Sequence, residues 1–210
     1  MSEQEECKKR QEGESDCYDR KWAYQNISCR AGTDGKQSAE GGNKMSRKAL
    51  VVIDIQNDIT KHYRDIIDNI NSTIDWAMKQ AMTVIYIKHN NLSAGTRTFK
   101  PGTKGAELAP ELKIVSDHIF VKTKANALTS EKFSEFIRSK DIREFYITGA
   151  DATACVKSTC FNMAKAGYAV HVISDCVTSY DLKKLPEMLT YFAAKGCEVR
   201  TLNEYQNTET

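Results

Sequence analysis

Three residues suited to attack on a carbonyl carbon stand far apart in the chain. They are Asp54 in "VIDIQND", Lys122 at the end of "HIFVK", and Cys155 in "ITGADATACVKST" (147–159). A thiol attacks as its thiolate, and a helix N-terminus or a neighbouring ammonium lowers its pKa. Lys122 is expected to supply that charge to Cys155. A carboxylate beside the thiol takes its proton and later returns it to a leaving amine, and Asp54 is expected to do so here. Backbone N–H groups over 151–155 would hold the oxyanion of a tetrahedral intermediate. None of His62, His89, His118 and His171 is placed to replace Asp54, although His89 follows a strand at the same edge.

Singly, each residue has a plainer explanation. An aspartate closing a strand caps turns, a strand-end lysine is a solvated charge, and a cysteine opening a helix is packing. Asp54 is the odd one, because it interrupts an apolar run and a buried carboxylate needs a partner. What joins the three is the order of the elements. "ALVVIDI" (49–55), "MTVIYIK" (82–88), "HIFVK" (118–122), "EFYITG" (144–149), "YAVHVIS" (168–174) and "CEVRTL" (197–202) read as strands. Apolar residues from Ile59 to Met78 recur at helical spacing, and 129–139, 153–166 and 182–195 also read as helices. The segment 89–117 is rich in Gly and Pro and reads as loop, with a turn of helix near 106–112. Strands alternating with helices predict an α/β fold with a mostly parallel sheet covered on both faces. Right-handed crossovers put every strand C-terminus on one edge, where such sheets bind ligands. Asp54, Lys122 and Cys155 all fall on that edge.

The bulk properties exclude more than they assign. The chain has 210 residues, 40% of them apolar, and a net charge of +2 from 30 basic and 28 acidic side chains. Interspersed charge of that balance gives no electrostatic case for nucleic acid or an anionic membrane. No apolar run approaches the roughly 18 residues of a membrane span. The first residues lack the apolar middle of a secretory signal and are too acidic for a transit peptide, so a cytoplasmic location is expected. Seven cysteines, at 7, 17, 29, 155, 160, 176 and 197, form no CxxC pair and no zinc spacing, so most are expected as buried free thiols. The sequons at Asn26, Asn71 and Asn91 read as chance matches. Residues 1–46 are polar and glycine-rich and are expected to be disordered or loosely attached, with Met45 a candidate start. Residues 47–204 are expected to form the domain, and 205–210 a tail.

The motifs resemble those of the isochorismatase-like cysteine hydrolases. "ALVVIDIQNDI" resembles their opening Asp-x-Gln-x-Asp segment, "FKPGTKGAELAPEL" (99–112) their substrate loop, and "VKTKANAL" (121–128) their lysine segment, with Asn126 and Leu128 as departures. Residues 147–175 resemble their nucleophile block, and "KGCEV" (195–199) their closing strand. The resemblance runs over roughly 47–203 in order and spacing. It implies a three-layer α/β/α fold with about six strands. It also implies an Asp–Lys–Cys triad on Asp54, Lys122 and Cys155, and a non-proline cis peptide at Ala150–Asp151. The Asp151 and Cys155 N–H groups would then form the oxyanion hole. Gln56, Asp58, His89, Phe99 and Asn126 are candidates for lining the pocket. A homo-oligomer, dimer or larger, is implied as well.

Departures narrow the expected activity. Nicotinamidases of this fold carry an Asp-x-His…His metal site soon after strand one, where this chain offers only His62, so neither metal nor cofactor is expected. Vinyl-ether-splitting isochorismatases can lack the cysteine, so its presence favours C–N cleavage in a small amide or related carbonyl substrate. Asp151 beside the nucleophile is expected to select substrates by charge. The rival readings are an isochorismatase-type vinyl-ether hydrolase and a catalytically silent binding or scaffold protein. A redox pair of Cys155 and Cys160 is disfavoured, because side chains five apart on one helix diverge.

Overall fold

The computed structural model describes residues 47–208, apart from the side chains of residues 60–62. The expected N-terminal segment over 1–46, the start at Met45 and the His62 side chain lie outside the described residues.

β-Branched runs form the strands that the sequence predicts. They are β1 (Lys48–Ile53), β2 (Thr83–His89), β3 (Ile119–Lys122), β4 (Glu144–Gly149), β5 (Ala169–Val177) and β6 (Glu198–Arg200). They make a six-stranded sheet in the order β3-β2-β1-β4-β5-β6, and every pairing is parallel. The chain winds outward from β1 to β3, then returns to β4 beside β1 and winds the other way. The strand order therefore reverses between β1 and β4, which opens a crevice at their C-terminal ends.

The helices are α1 (Asn57–Tyr63), α2 (Ile67–Lys79), α3 (Glu131–Ser139), α4 (Cys155–Lys165), α5 (Leu185–Ala194) and α6 (Leu202–Thr208). One face of the sheet packs Val51, Phe145 and Val172 against Phe133 and Ile137 of α3, Val156 and Met163 of α4, and Phe192 of α5. The other packs Leu50, Val52 and Tyr86 against Ile70 and Ile74 of α2 and against Leu202 and Tyr205 of α6. The result is three layers, α/β/α. Among the described residues no helix is long and apolar enough to cross a membrane.

Three local differences from the sequence reading have physical causes. The helix expected from Ile59 to Met78 is broken at Tyr63, whose backbone (φ −132°, ψ 20°) leaves helical geometry before a 3-10 turn at Arg64–Ile66. Helical structure near 106–112 is instead a 3-10 turn at Lys104–Ala106. The sixth strand ends early, and Leu202–Thr208 is a helix rather than strand end and tail. Thr201 and Glu204 form a capping box: the Thr201 N–H donates to Glu204 Oε2 (2.7 Å) and the Glu204 N–H to Thr201 Oγ1 (3.3 Å). That T-x-x-E signature is readable in "RTLNEY".

Candidate active site

Each side chain at the crevice is placed by a strand end. Asp54 directly follows β1 with a positive φ of 55°, a region most side chains avoid and Asp tolerates better than most. Its amide donates to the Ile87 carbonyl of β2 (2.9 Å), so the turn is tied to the sheet. Lys122 ends β3, and Cys155 is the first residue of α4. Gly149 ends β4 with φ +113°, and a Cβ there would stand 2.1 Å from the Ile53 carbonyl oxygen. Only glycine lets β4 press this closely on β1 just before Asp54.

The three predicted residues meet. Lys122 Nζ lies 2.7 Å from Asp54 Oδ2, 3.1 Å from Cys155 Sγ and 2.9 Å from His89 Nδ1. Lys122 and Asp54 are almost fully buried, and Cys155 is half-buried. Asp54 Oδ1 is sealed from solvent without a conventional hydrogen bond, and the Cys155 S–H is the donor directed at this carboxylate. The peptide between Ala150 and Asp151 is cis. Among the described residues, neither the Asp151 N–H nor the Cys155 N–H donates to a protein acceptor, whereas the Ala152, Thr153, Ala154 and Val156 N–H groups all do.

The electrostatics differ from expectation at the thiol. Burial pushes Cys155 up, the Asp54 charge pushes it further, and Lys122 offsets only part, leaving the thiol at about 12 rather than lowered. Burial likewise raises Asp54, against the attraction and hydrogen bond of Lys122. Desolvation of the crevice outweighs the ammonium, so the resting site holds a protonated sulfur.

The remaining candidates are mostly braced by the fold. Gln56 Nε2 donates to the carbonyls of His89 (3.0 Å) and Ala106 (2.8 Å), and its Oε1 accepts the His89 N–H (2.7 Å). Asp58 Oδ2 accepts the Phe99 N–H (2.6 Å), pinning a residue whose φ of 56° is unfavourable for a bulky side chain. Asn126 Oδ1 accepts the Leu128 N–H (2.9 Å) and caps the 3-10 turn Ala127–Thr129. Phe99 packs edge-on against the His89 ring, with centroids 5.7 Å apart.

The Asp151 carboxylate is hydrogen-bonded within its own turn and to the segment after β5. Its Oδ1 accepts from the Thr153 N–H (2.7 Å), Thr153 Oγ1 (2.7 Å) and Ser179 Oγ (3.0 Å). Its Oδ2 accepts from the Tyr180 N–H (2.7 Å) and the Tyr63 hydroxyl (3.4 Å). Burial pushes this carboxyl up, but the Tyr180 and Thr153 amides with the Thr153 and Ser179 hydroxyls outweigh it and hold the carboxyl below its usual range. Asp151 ties the nucleophile turn to the segment after β5. The sequence reading missed Thr178–Tyr180, although their place at a strand C-terminus is the signal that found the other residues.

The donor atoms of Asp54, His89 and Cys155 lie within 4.8 Å of one another, a spacing that suits a metal ion. The Lys122 ammonium already contacts all three, so the cation that this donor set accommodates is an amine. Cys155, Cys160, Cys176 and Cys197 are free thiols, and Cys160 is packed in the core away from solvent.

A parallel α/β sheet with a thiol, a carboxylate and an ammonium at its switch point defines a class of hydrolase. The isochorismatase domain family model matches residues 48–204. The chain belongs to the isochorismatase family of hydrolases. It is 21% identical over 146 residues to Nicotinamidase 3 of Arabidopsis thaliana, covering 63% of this chain and 74% of that protein. Its fold is similar to that of an isochorismatase family protein from Desulfovibrio vulgaris, with a TM-score of 0.71 and 18% identity over 77% of this chain and 97% of that one. It is also similar to a cysteine hydrolase from Pseudomonas syringae, with a TM-score of 0.69 and 19% identity over 82% of this chain and 96% of that one.

Proposed function

We propose that the protein is a cysteine hydrolase that cleaves the C–N bond of a small amide, or a related carbonyl compound, with Asp54, Lys122 and Cys155 as its triad. The observation that carries this reading is the meeting of Cys155 Sγ, Asp54 and Lys122 Nζ beside two N–H groups that, among the described residues, have no protein acceptor. Because the resting sulfur is protonated, thiolate formation is coupled to substrate arrival. As Sγ bonds to the carbonyl carbon, its proton passes to Asp54, and the oxyanion settles on the Asp151 and Cys155 N–H groups. The C–N bond then breaks and Asp54 protonates the departing amine. Water, losing a proton to Asp54, attacks the thioester and releases the acid, while the proton returns to the sulfur. No step calls for a metal or cofactor. A homo-oligomer, dimer or larger, and a cytoplasmic location belong to the same proposal.

Ammonia release screened over small primary amides, with Cys155→Ser as control, tests this. Release abolished in the variant supports the reading, and no release from any amide defeats it. A second reading, vinyl-ether hydrolysis with Asp54 as the acid, is favoured by the raised Asp54 and Cys155 pKa values. Cys155→Ala separates the two, since an acid-catalysed vinyl-ether hydrolase keeps its activity without the thiol.

A further inference from the structure

We propose that His89 is the positioning residue of this site: its Nδ1 accepts the third N–H of Lys122 and so fixes the direction in which the ammonium faces Cys155. An ammonium has three N–H donors, and buried ones need acceptors. Lys122 Nζ is sealed from solvent, and Asp54 Oδ2 and Cys155 Sγ take two of its donors. His89 Nδ1, at 2.9 Å, takes the third. With all three accepted, rotation about the Cε–Nζ bond is locked.

The rest of the molecule holds His89 for this task. Its backbone N–H and carbonyl are both bonded by the Gln56 side chain (2.7 and 3.0 Å). Its ring packs against Phe99, with centroids 5.7 Å apart. An ammonium offers donors only, so Nδ1 beside it must accept, and the proton of the neutral ring sits on Nε2. Burial and the Lys122 charge hold the imidazole below its ordinary pKa, so it is neutral near pH 7. A charged imidazole would face the ammonium with no lone pair. His89 is therefore part of the frame that aims the catalytic lysine, and not a group reading substrate.

The proposal rests on the cysteine hydrolase reading, and its test does not need the substrate. Carboxamidomethylation of Cys155 by iodoacetamide at pH 8, followed by peptide mass spectrometry, reads how the ammonium supports the nascent thiolate. His89→Ala is expected to slow it by about tenfold to a hundredfold, the size of one hydrogen bond to a charged group. His89→Asn, whose side-chain oxygen stands where Nδ1 does, is expected to restore the rate to within about threefold. Equal rates in wild type and the alanine variant overturn the proposal, as does an asparagine variant that folds but reacts as slowly as alanine. Nitrogen NMR of the wild-type imidazole decides independently. An unprotonated Nδ1 and a protonated Nε2 at pH 7 support the assignment, and a proton on Nδ1 overturns it. Absence of Cys155 alkylation in the wild type counts against the cysteine hydrolase reading instead, and the tautomer then decides the role of His89.

Discussion

Lys122 Nζ stands 2.7 Å from Asp54 Oδ2, and both side chains are withdrawn from solvent. An ion pair so placed is costly to desolvate and strongly destabilising to break, since removing one partner strands the other.

Lys122→Met is expected to destabilise the fold by about 3–5 kcal/mol near neutral pH. Asp54 already has a raised carboxyl pKa, and losing the ammonium raises it further. A carboxyl raised in the folded state contributes stability below its unfolded value of 3.8 and loses it as pH rises through the folded value. The deficit of the variant should therefore shrink toward pH 4. Urea titrations at pH 4.5 and 7.5 check this, and a deficit independent of pH would contradict the buried pair.

Asp151→Asn removes the charge that gathers donors from Thr153, Ser179, Tyr180 and Tyr63. We expect a loss of about 1–3 kcal/mol at pH 7. This carboxyl is lowered in the folded state, so its contribution is present above the unfolded value of 3.8 and lost as pH falls through the folded value. Thermal melts of variant and wild type should converge toward pH 3.

Gly149→Ala places a Cβ 2.1 Å from the Ile53 carbonyl oxygen, a backbone atom unable to swing aside. Forcing the C-terminal ends of β1 and β4 apart should cost about 1–3 kcal/mol and displace Asp54 from Cys155. Turnover in the proposed amide hydrolysis should fall by more than the unfolded fraction explains, measured below the melting transition.

Asp58→Ala frees the Phe99 amide, whose 2.6 Å bond to Oδ2 holds that residue at positive φ. Hydrogen exchange at the Phe99 amide should quicken by about tenfold or more, matching the loss of a charge-assisted bond. Unchanged exchange would show that the 90–105 loop is held by other means.

The architecture was legible in the sequence because its signals are local. Apolar β-branched runs alternate with helical stripes, and a parallel sheet with right-handed crossovers leaves little freedom over which edge holds the strand C-termini. That was enough to put Asp54, Lys122 and Cys155 on one edge. Helix ends fared worse. The break at Tyr63 is a backbone event inside one apolar stripe, and the Thr201–Glu204 capping box was present but outweighed by the strand pattern before it.

What the sequence determined alone is the fold class and the edge of the sheet that Asp54, Lys122 and Cys155 share. Both follow from element order and residue type. The tertiary structure decided everything that depends on distance and burial. It set the thiol at about 12, because desolvation of Cys155 and the Asp54 charge exceed the pull of Lys122. It tied Asp151 to the segment after β5, whose Ser179 hydroxyl and Tyr180 N–H donate to its carboxylate. It also brought His89 to 2.9 Å from Lys122, because β2 and β3 end side by side. Charge, solvation and hydrogen-bond saturation are properties of neighbours distant in the chain, and no periodicity in the sequence encodes them.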